Sequence, residues 1–171
     1  MRAVSPNAIR ARFCRAMSEM YKAEVPLYGD LVALVEEVNA RVMDEDPALR
    51  ARLEAHDNLE RISEERHGAI RLGTAAELST MRRLFAVMGM VPVGYYDLSV
   101  AGIPVHSTAF RPVEEEALRR SPFRVFTSLL RLELIEDAAL RAEAEAILAA
   151  RDIFTPGVRA LIAKAERDGG L

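Results

Sequence analysis

The fold class depends on residues 67–77, which read His-Gly-Ala-Ile-Arg-Leu-Gly-Thr-Ala-Ala-Glu. Residues 67–73 have the length and composition of a short β-strand that ends at a glycine. Thr74 and Glu77 have the spacing of a capping box, in which each side chain accepts a hydrogen bond from the backbone N–H of the other residue. The sequence therefore predicts a strand followed directly by a helix, and Gly89 is predicted to end that helix.

Strand patterns follow the predicted helix. Residues 91–98 and 103–110 are predicted strands joined by a turn at Ala101-Gly102. Residues 123–134 are rich in β-branched and large apolar side chains and predict a further strand, although their last part is equally compatible with helix. The stretch 61–135 is therefore predicted to form a βαβββ-like mixed-sheet module.

Helices are predicted on both sides of this module, which makes the fold class α+β. Ser5-Pro6 and Asp46-Pro47 each combine a helix cap with a proline at the first helical position. The second N-terminal helix carries apolar residues at helical spacing, namely Leu31, Leu34, Val35, Val38 and Val42. Residues 138–150 and a segment opened by Thr155-Pro156 predict the C-terminal helices. We thus expect helices over 1–60, the module over 61–135 and helices over 136–171.

Composition restricts the class of protein. Half of the 171 residues are hydrophobic and 29% are charged, which is typical of a globular domain and argues against disorder. The net charge of −3 gives no support for nucleic-acid binding. The nearly uncharged stretch 84–96 is too short to span a membrane. A single cysteine, Cys14, fits a reducing compartment, and the N-terminus lacks a secretory signal, so we expect a cytoplasmic protein.

His67 and Arg71 are the residues with the clearest chemical potential. Alternation along a strand places them on one face with Ala69 between them, and four residues separate their backbones by about 13 Å. An imidazole at one end and a guanidinium at the other suit a small ligand whose far end is a carboxylate, because arginine donates two parallel hydrogen bonds to that group.

The sequence is equally compatible with structural roles for the same residues. An isolated histidine on a strand is commonly a surface residue or a hydrogen-bonded core residue rather than a metal ligand. Arg71 has three alternative acidic partners in the sequence, Glu64, Glu65 and Glu77. His106 is expected either to face the same pocket or to hold a structural hydrogen bond.

Other candidate residues have simpler interpretations. Tyr95-Tyr96-Asp97 predicts packing and turn chemistry, and Glu114-Glu115-Glu116 predicts a solvated charge run. His56 is expected to be exposed at a helix end, and Cys14 is expected to be a core residue.

Four long motifs resemble the 2-oxoadipate dioxygenase/decarboxylase family. They cover residues 65–78, 85–99, 102–112 and 122–132, and residues 151–156 extend the resemblance toward the C-terminus. The resemblance implies a fold related to the vicinal-oxygen-chelate enzymes, whose βαβββ modules carry metal ligands on their strands. It also implies a non-haem iron(II) enzyme of lysine catabolism, which converts 2-oxoadipate and dioxygen to D-2-hydroxyglutarate and carbon dioxide.

The resemblance assigns roles to two residues. His67 matches the first histidine of a ligand set of two histidines and one glutamate, and it would therefore bind metal and lie against the substrate. Arg71 matches the arginine that binds the distal substrate carboxylate. No catalytic acid or base is assigned.

This chain departs from the family pattern in one respect. The other histidine and the glutamate of the ligand set have no counterpart here, so the chain is expected to be the N-terminal portion of a larger enzyme and inactive by itself. Two alternatives remain. One is a non-catalytic module that binds a small acid or serves assembly; the other is a different vicinal-oxygen-chelate metalloenzyme whose site is completed in trans. The oligomeric state is not predicted.

Overall fold

The computed structural model describes residues 4–55, 59, 62 and 67–171. Seven α-helices and four strands lie in these ranges, and they confirm the predicted α+β class. The helices are α1 (Pro6–Glu24), α2 (Pro26–Glu45), α3 (Pro47–Ala55), α4 (Ala75–Val87), α5 (Glu115–Arg120), α6 (Ala138–Ala149) and α7 (Pro156–Asp168). The strands are β1 (His67–Leu72), β2 (Val91–Asp97), β3 (Val105–Arg111) and β4 (Arg124–Leu130).

The strands form one mixed sheet in the order β1-β4-β3-β2. The first strand runs parallel to β4, and the other neighbouring pairs are antiparallel. The ambiguous stretch 123–134 is a strand over Arg124–Leu130 followed by a single 3-10 turn over Leu132–Leu134. The chain thus has the expected βαβββ element order, with the short helix α5 inserted between β3 and β4.

Helix α5 was not predicted from the sequence. The solvated charge run predicted over 114–116 is confirmed, since all three glutamates are exposed, and Glu115 and Glu116 also begin a helix whose last turn contains Arg119 and Arg120. Each of these two glutamates pairs with the arginine four residues later. Acidic residues in the first turn and basic residues in the last turn both favour the helix dipole, which explains why so polar a segment is helical.

Two compact units divide the chain. The first combines Met1–Arg12 with His67–Leu171, and the second is Phe13–Arg66. Within the second unit, the rings of Tyr21 and Tyr28 lie 5.7 Å apart. The predicted apolar stripe on α2 does form on a helix, but Leu31 and Leu34 are both 55% exposed. Cys14, expected in a core, is half-buried.

One face of the sheet, here called the helix face, carries the core of the first unit. Its buried side chains include Leu72 from β1, Val125 and Leu129 from β4 and Phe110 from β3. The ring of Phe85 from α4 packs against Phe110 with centroids 5.0 Å apart. Each fully buried side chain of this size stabilises the fold by about 1.5–3 kcal/mol, so the helix face dominates the stability of this unit.

The buried Arg10 joins α1 to the ends of two other helices. Its Nη1 donates to the carbonyl of Met88 at the C-cap of α4 (2.6 Å), and its Nε donates to the carbonyl of Ser121 at the C-cap of α5 (2.9 Å). Its Nη2 donates to the carbonyl of Ala117 and the side chain of Asn7. Burial lowers the pKa of this guanidinium. A cation suits this place because helix C-termini carry partial negative charge.

Among the described residues, no helix combines the length and the apolarity that crossing a lipid bilayer requires.

Candidate functional site

Strand β1 places His67, Ala69 and Arg71 on one face of the sheet, and all three side chains are exposed. Gly68 and Leu72 alternate with them and are buried on the helix face. The shared face predicted for the imidazole and the guanidinium is therefore present in the structure. We call this side of the sheet the Arg71 face.

The strand register shows which residues adjoin this pair. In β4, the direct partners are Arg124 beside His67, Phe126 beside Ala69 and Ser128 beside Arg71. Because paired residues on neighbouring strands point to the same side, all three belong to the Arg71 face. The sequence alone did not indicate them, since the pairing joins segments that are far apart in the chain.

A polar row crosses the whole sheet at the level of Arg71. It continues through Ser128 of β4 and Ser107 of β3 to Tyr96 of β2. Both serines are half-buried, and neither hydroxyl forms a hydrogen bond with another described residue. A guanidinium beside two hydroxyls can donate several hydrogen bonds to one carboxylate.

Tyr96 lies across the Arg71 face rather than away from it. A Cβ atom added at Gly94 would approach the Tyr96 hydroxyl oxygen to 3.1 Å, so the missing side chain at Gly94 leaves room for the phenol. The Tyr96 ring also contacts Phe126, with centroids 6.1 Å apart. The two rings form an apolar patch next to the polar row, which gives the face both a polar part and an apolar part. The packing role predicted for Tyr96 is therefore confirmed.

His106 lies on the other side of the sheet. Its strand partners are Leu129 and Asp97, which belong to the helix face, and its ring lies 5.2 Å from that of Tyr95. It lines a cavity of about 490 Å³ between the sheet, the start of α4 and α6. His67 and Arg71 do not line this cavity. The idea that His106 faces the same pocket as His67 is therefore wrong.

Two carboxylates near His106 are held in the ionised form. Hydrogen bonds from Ser99 lower the pKa of Asp97, which confirms the turn chemistry predicted for it. A hydrogen bond from Arg131 lowers the pKa of Glu133. Arg131 also lies 3.8 Å from Asp97. These contacts stabilise the ends of β2 and β4, and they leave both carboxylates poorly suited to accept a proton.

Glu77 pairs with Arg151, not with Arg71. Its Oε1 accepts from Nε of Arg151 at 2.9 Å, and its Oε2 accepts from the backbone N–H of Gly73 at 2.6 Å. The predicted capping box with Thr74 is also present. Nη2 of Arg151 donates to the backbone carbonyl of Arg71 at 3.0 Å. Of the other proposed partners, Glu64 and Glu65 lie outside the described residues, as does His56.

No group of three or more histidine, cysteine, aspartate or glutamate side chains is placed to hold a metal ion in the part of the chain that the structure describes. His67 is a single imidazole donor on an exposed strand. Protein sites for catalytic transition metals use about three protein ligands. The described residues therefore do not form a metal site by themselves, and any site that uses His67 needs donors from elsewhere.

Comparison with known proteins identifies the family. The family model described as 2-oxoadipate dioxygenase/decarboxylase matches residues 13–171. The chain is 62% identical over 168 residues to the 2-oxoadipate dioxygenase/decarboxylase of Pseudomonas putida, covering 98% of this chain and 36% of that protein. It is 57% identical to the Escherichia coli protein of the same name, with coverages of 98% and 37%.

A solved structure agrees with these matches. The hydroxyglutarate synthase of Pseudomonas putida in complex with 2-oxoadipate superposes with a TM-score of 0.94 at 62% identity, over 99% of this chain and 38% of that one. The chain thus spans little more than a third of the length of these relatives. It belongs to the 2-oxoadipate dioxygenase/decarboxylase family.

Proposed function

We propose that this chain supplies one wall of the active site of a 2-oxoadipate dioxygenase/decarboxylase, which converts 2-oxoadipate and dioxygen to D-2-hydroxyglutarate and carbon dioxide in lysine catabolism. The observation that carries the proposal is the shared exposure of His67 and Arg71 on one face of β1. A relative with this name, from Pseudomonas putida, is 62% identical to the chain over nearly its whole length.

In this proposal, Arg71 binds the distal carboxylate of the substrate. Its guanidinium has no ion pair within the described residues, because Glu77 is engaged by Arg151. The hydroxyls of Ser107 and Ser128 lie in the same polar row and add donors for that carboxylate. Binding energy from this remote end orients the 2-oxo end toward His67.

His67 is proposed as one metal ligand, with iron(II) as the metal, and as a neighbour of the bound substrate. Iron would supply the activation of dioxygen, which amino-acid side chains cannot perform. Since the described residues offer only this one imidazole on the Arg71 face, the remaining ligands must come from outside the described residues or from another chain. The residues shown here hold and orient the substrate and provide a single donor.

Rate measurements test the proposal directly. The full-length product of the gene is assayed for dioxygen uptake with iron(II) and 2-oxoadipate, with the 171-residue chain assayed in parallel. We expect uptake that depends on both iron and 2-oxoadipate in the full-length product and none in the 171-residue chain. Absence of turnover by the full-length product, together with tight binding of 2-oxoadipate, would instead indicate the small-acid-binding module.

Turnover of a different small acid by the full-length product would indicate another vicinal-oxygen-chelate metalloenzyme. Mixing the 171-residue chain with a separately expressed remainder of the protein tests completion of the site in trans.

We propose a cytoplasmic location, because a single cysteine fits a reducing compartment. Neither nucleic acid nor membrane is proposed as a partner, and no oligomeric state is proposed.

A further inference from the structure

The C-terminal end of β1 is held by an ion pair that belongs to neither the strand nor the sheet. Arg151, in the connection between α6 and α7, donates to both carboxylate oxygens of Glu77, at 2.9 Å and 3.2 Å. The same pair binds the backbone on either side of Leu72, the last residue of β1. Arg151 donates to the Arg71 carbonyl, and Glu77 accepts from the Gly73 N–H.

This arrangement matters because β1 is an edge strand. It is hydrogen-bonded to β4 alone among the described strands, so the backbone groups on its other edge have no strand partner. The Arg71 carbonyl accepts a hydrogen bond from the charged side chain of Arg151 rather than from a neighbouring strand on that edge. Hydrogen bonds to charged groups are about twice as strong as neutral ones, so this contact restrains the strand end more than an ordinary turn would.

The ion pair is also partly shielded from water. The Glu77 side chain is 8% exposed and that of Arg151 is 34% exposed. Removing Arg151 leaves a nearly buried carboxylate without its counter-charge, and it leaves the Arg71 carbonyl without this donor. Both effects act on the backbone that carries the Arg71 side chain.

We infer that Arg151 is a positioning residue for substrate binding, which acts by fixing the backbone of Arg71 through the ion pair with Glu77. The inference rests on the proposed function, since it requires that Arg71 bind the distal carboxylate of a 2-oxo diacid. Arg151 itself does not touch the substrate. Substitution of Arg151 should therefore weaken binding of a 2-oxo diacid, which raises KM, and leave kcat nearly unchanged.

A matched control is available in the same unit. Arg83 of α4 forms a two-pronged ion pair with Glu166 of α7, with distances of 2.7 Å and 2.6 Å. Like the Arg151–Glu77 pair, it ties α4 to the C-terminal part of the chain, but it does not contact β1. Arg83→Met therefore reports the loss of an ion pair between α4 and the C-terminal part without loss of the contact to Arg71. The Arg83–Glu166 pair is more exposed, at 42% and 45%, so the added cost of an unpaired, nearly buried carboxylate belongs to Arg151→Met alone.

Steady-state kinetics of the full-length gene product test the inference. The variants are Arg71→Ala, Arg151→Met, the double variant, Arg151→Lys and Arg83→Met. The substrates are 2-oxoadipate and 2-oxohexanoate, which lacks the distal carboxylate. We expect Arg151→Met to raise KM for 2-oxoadipate about tenfold at nearly constant kcat. The same substitution should leave the kinetics with 2-oxohexanoate unchanged. In the Arg71→Ala background it should have no further effect on KM.

Arg151→Lys should retain more affinity for 2-oxoadipate than Arg151→Met does, because lysine keeps the positive charge. It should not reach the affinity of the unsubstituted protein, because lysine cannot bind Glu77 and the Arg71 carbonyl at the same time as the guanidinium does.

Hydrogen exchange of the substrate-free protein should show faster exchange at residues 70–74 in Arg151→Met than in Arg83→Met. The inference is overturned if Arg151→Met behaves like Arg83→Met, if it affects both substrates equally, or if its effect adds fully to that of Arg71→Ala. If Arg71→Ala alone leaves KM unchanged, the proposed role of Arg71 fails instead, and the inference fails with it.

Discussion

The two faces of the sheet differ in how deeply their side chains are buried, most clearly on β1 and β4. On the helix face, Val125 and Phe110 are 0% and 1% exposed, whereas His67 and Arg71 on the Arg71 face are exposed. Alternation along β1 and β4 separates the more buried from the more exposed residues, as the burial of Leu72, Val125 and Leu129 on the helix face shows. This unit therefore buries most of its core on one side of the sheet and carries its proposed binding groups on the other, so substitutions on the two sides should have different consequences.

The largest difference in iron binding and turnover is expected between alanine variants of two histidines, His67 and His106. In the full-length gene product, His67→Ala should abolish iron binding and turnover, because it removes a proposed ligand from the Arg71 face. His106→Ala should keep both, since His106 lies on the helix face. Metal analysis of the purified variants checks this. A full iron complement in His67→Ala would remove His67 from the site.

Two phenylalanines allow the same comparison for stability. Phe110→Ala should lower the free energy of unfolding by about 3–5 kcal/mol, because a ring that is 1% exposed leaves a cavity against Phe85. Phe126→Ala, on the Arg71 face, should cost less than about 2 kcal/mol, since its ring is only half-buried. Urea denaturation measures both values, and equal losses would contradict the division of roles between the faces.

A third test concerns substrate affinity. Arg71→Ala should raise KM for 2-oxoadipate by about 10- to 100-fold, which corresponds to the loss of about 1.5–3 kcal/mol of charge-assisted hydrogen bonding. Iron content and the thermal unfolding midpoint should be unchanged, because the guanidinium is exposed and has no ion pair among the described residues. Unchanged kinetics with 2-oxoadipate would rule out the carboxylate-binding role.

The smallest effect is expected at the surface of the helix layer. The hydrogen bond from Arg83 lowers the pKa of Glu166 below its ordinary 4.5. A carboxyl group with a depressed folded-state pKa stabilises the protein above its unfolded pKa and loses that contribution as the pH falls through the folded-state value. Glu166→Gln should therefore lower the unfolding midpoint slightly at pH 7. The difference from the unsubstituted protein should shrink as the pH is lowered well below 4.5.

Local signals predicted most of the elements and the central pair of the site. The capping box at Thr74 and Glu77, the prolines at positions 6, 47 and 156, and the strand alternation at 67–72 depend only on neighbouring residues, and each is present in the structure. The same alternation placed His67 and Arg71 together without any knowledge of the rest of the fold.

Long-range contacts account for what the sequence did not reveal. Ser128 and Ser107 join the polar row only because β4 pairs with β1 and β3 in a particular register. Arg10 sits on a helix that looks amphipathic, and its burial depends on carbonyls that two other helices bring to it. The preference of Glu77 for Arg151 over Arg71 has the same origin. For α5, by contrast, the signal lies in neighbouring residues, with two glutamates in the first turn and two arginines in the last, but no helix was predicted there.

The parallel pairing of β1 with β4 also sets the order in which the molecule can be assembled. Of the strand pairs, it joins the two segments that are farthest apart along the chain, and closing so long a loop is slow. During synthesis, residues 67–72 leave the ribosome well before their partner does, so β1 has no strand to dock on until residues 124–130 have emerged. The strand that carries both proposed binding groups is therefore the last one that the sheet can incorporate.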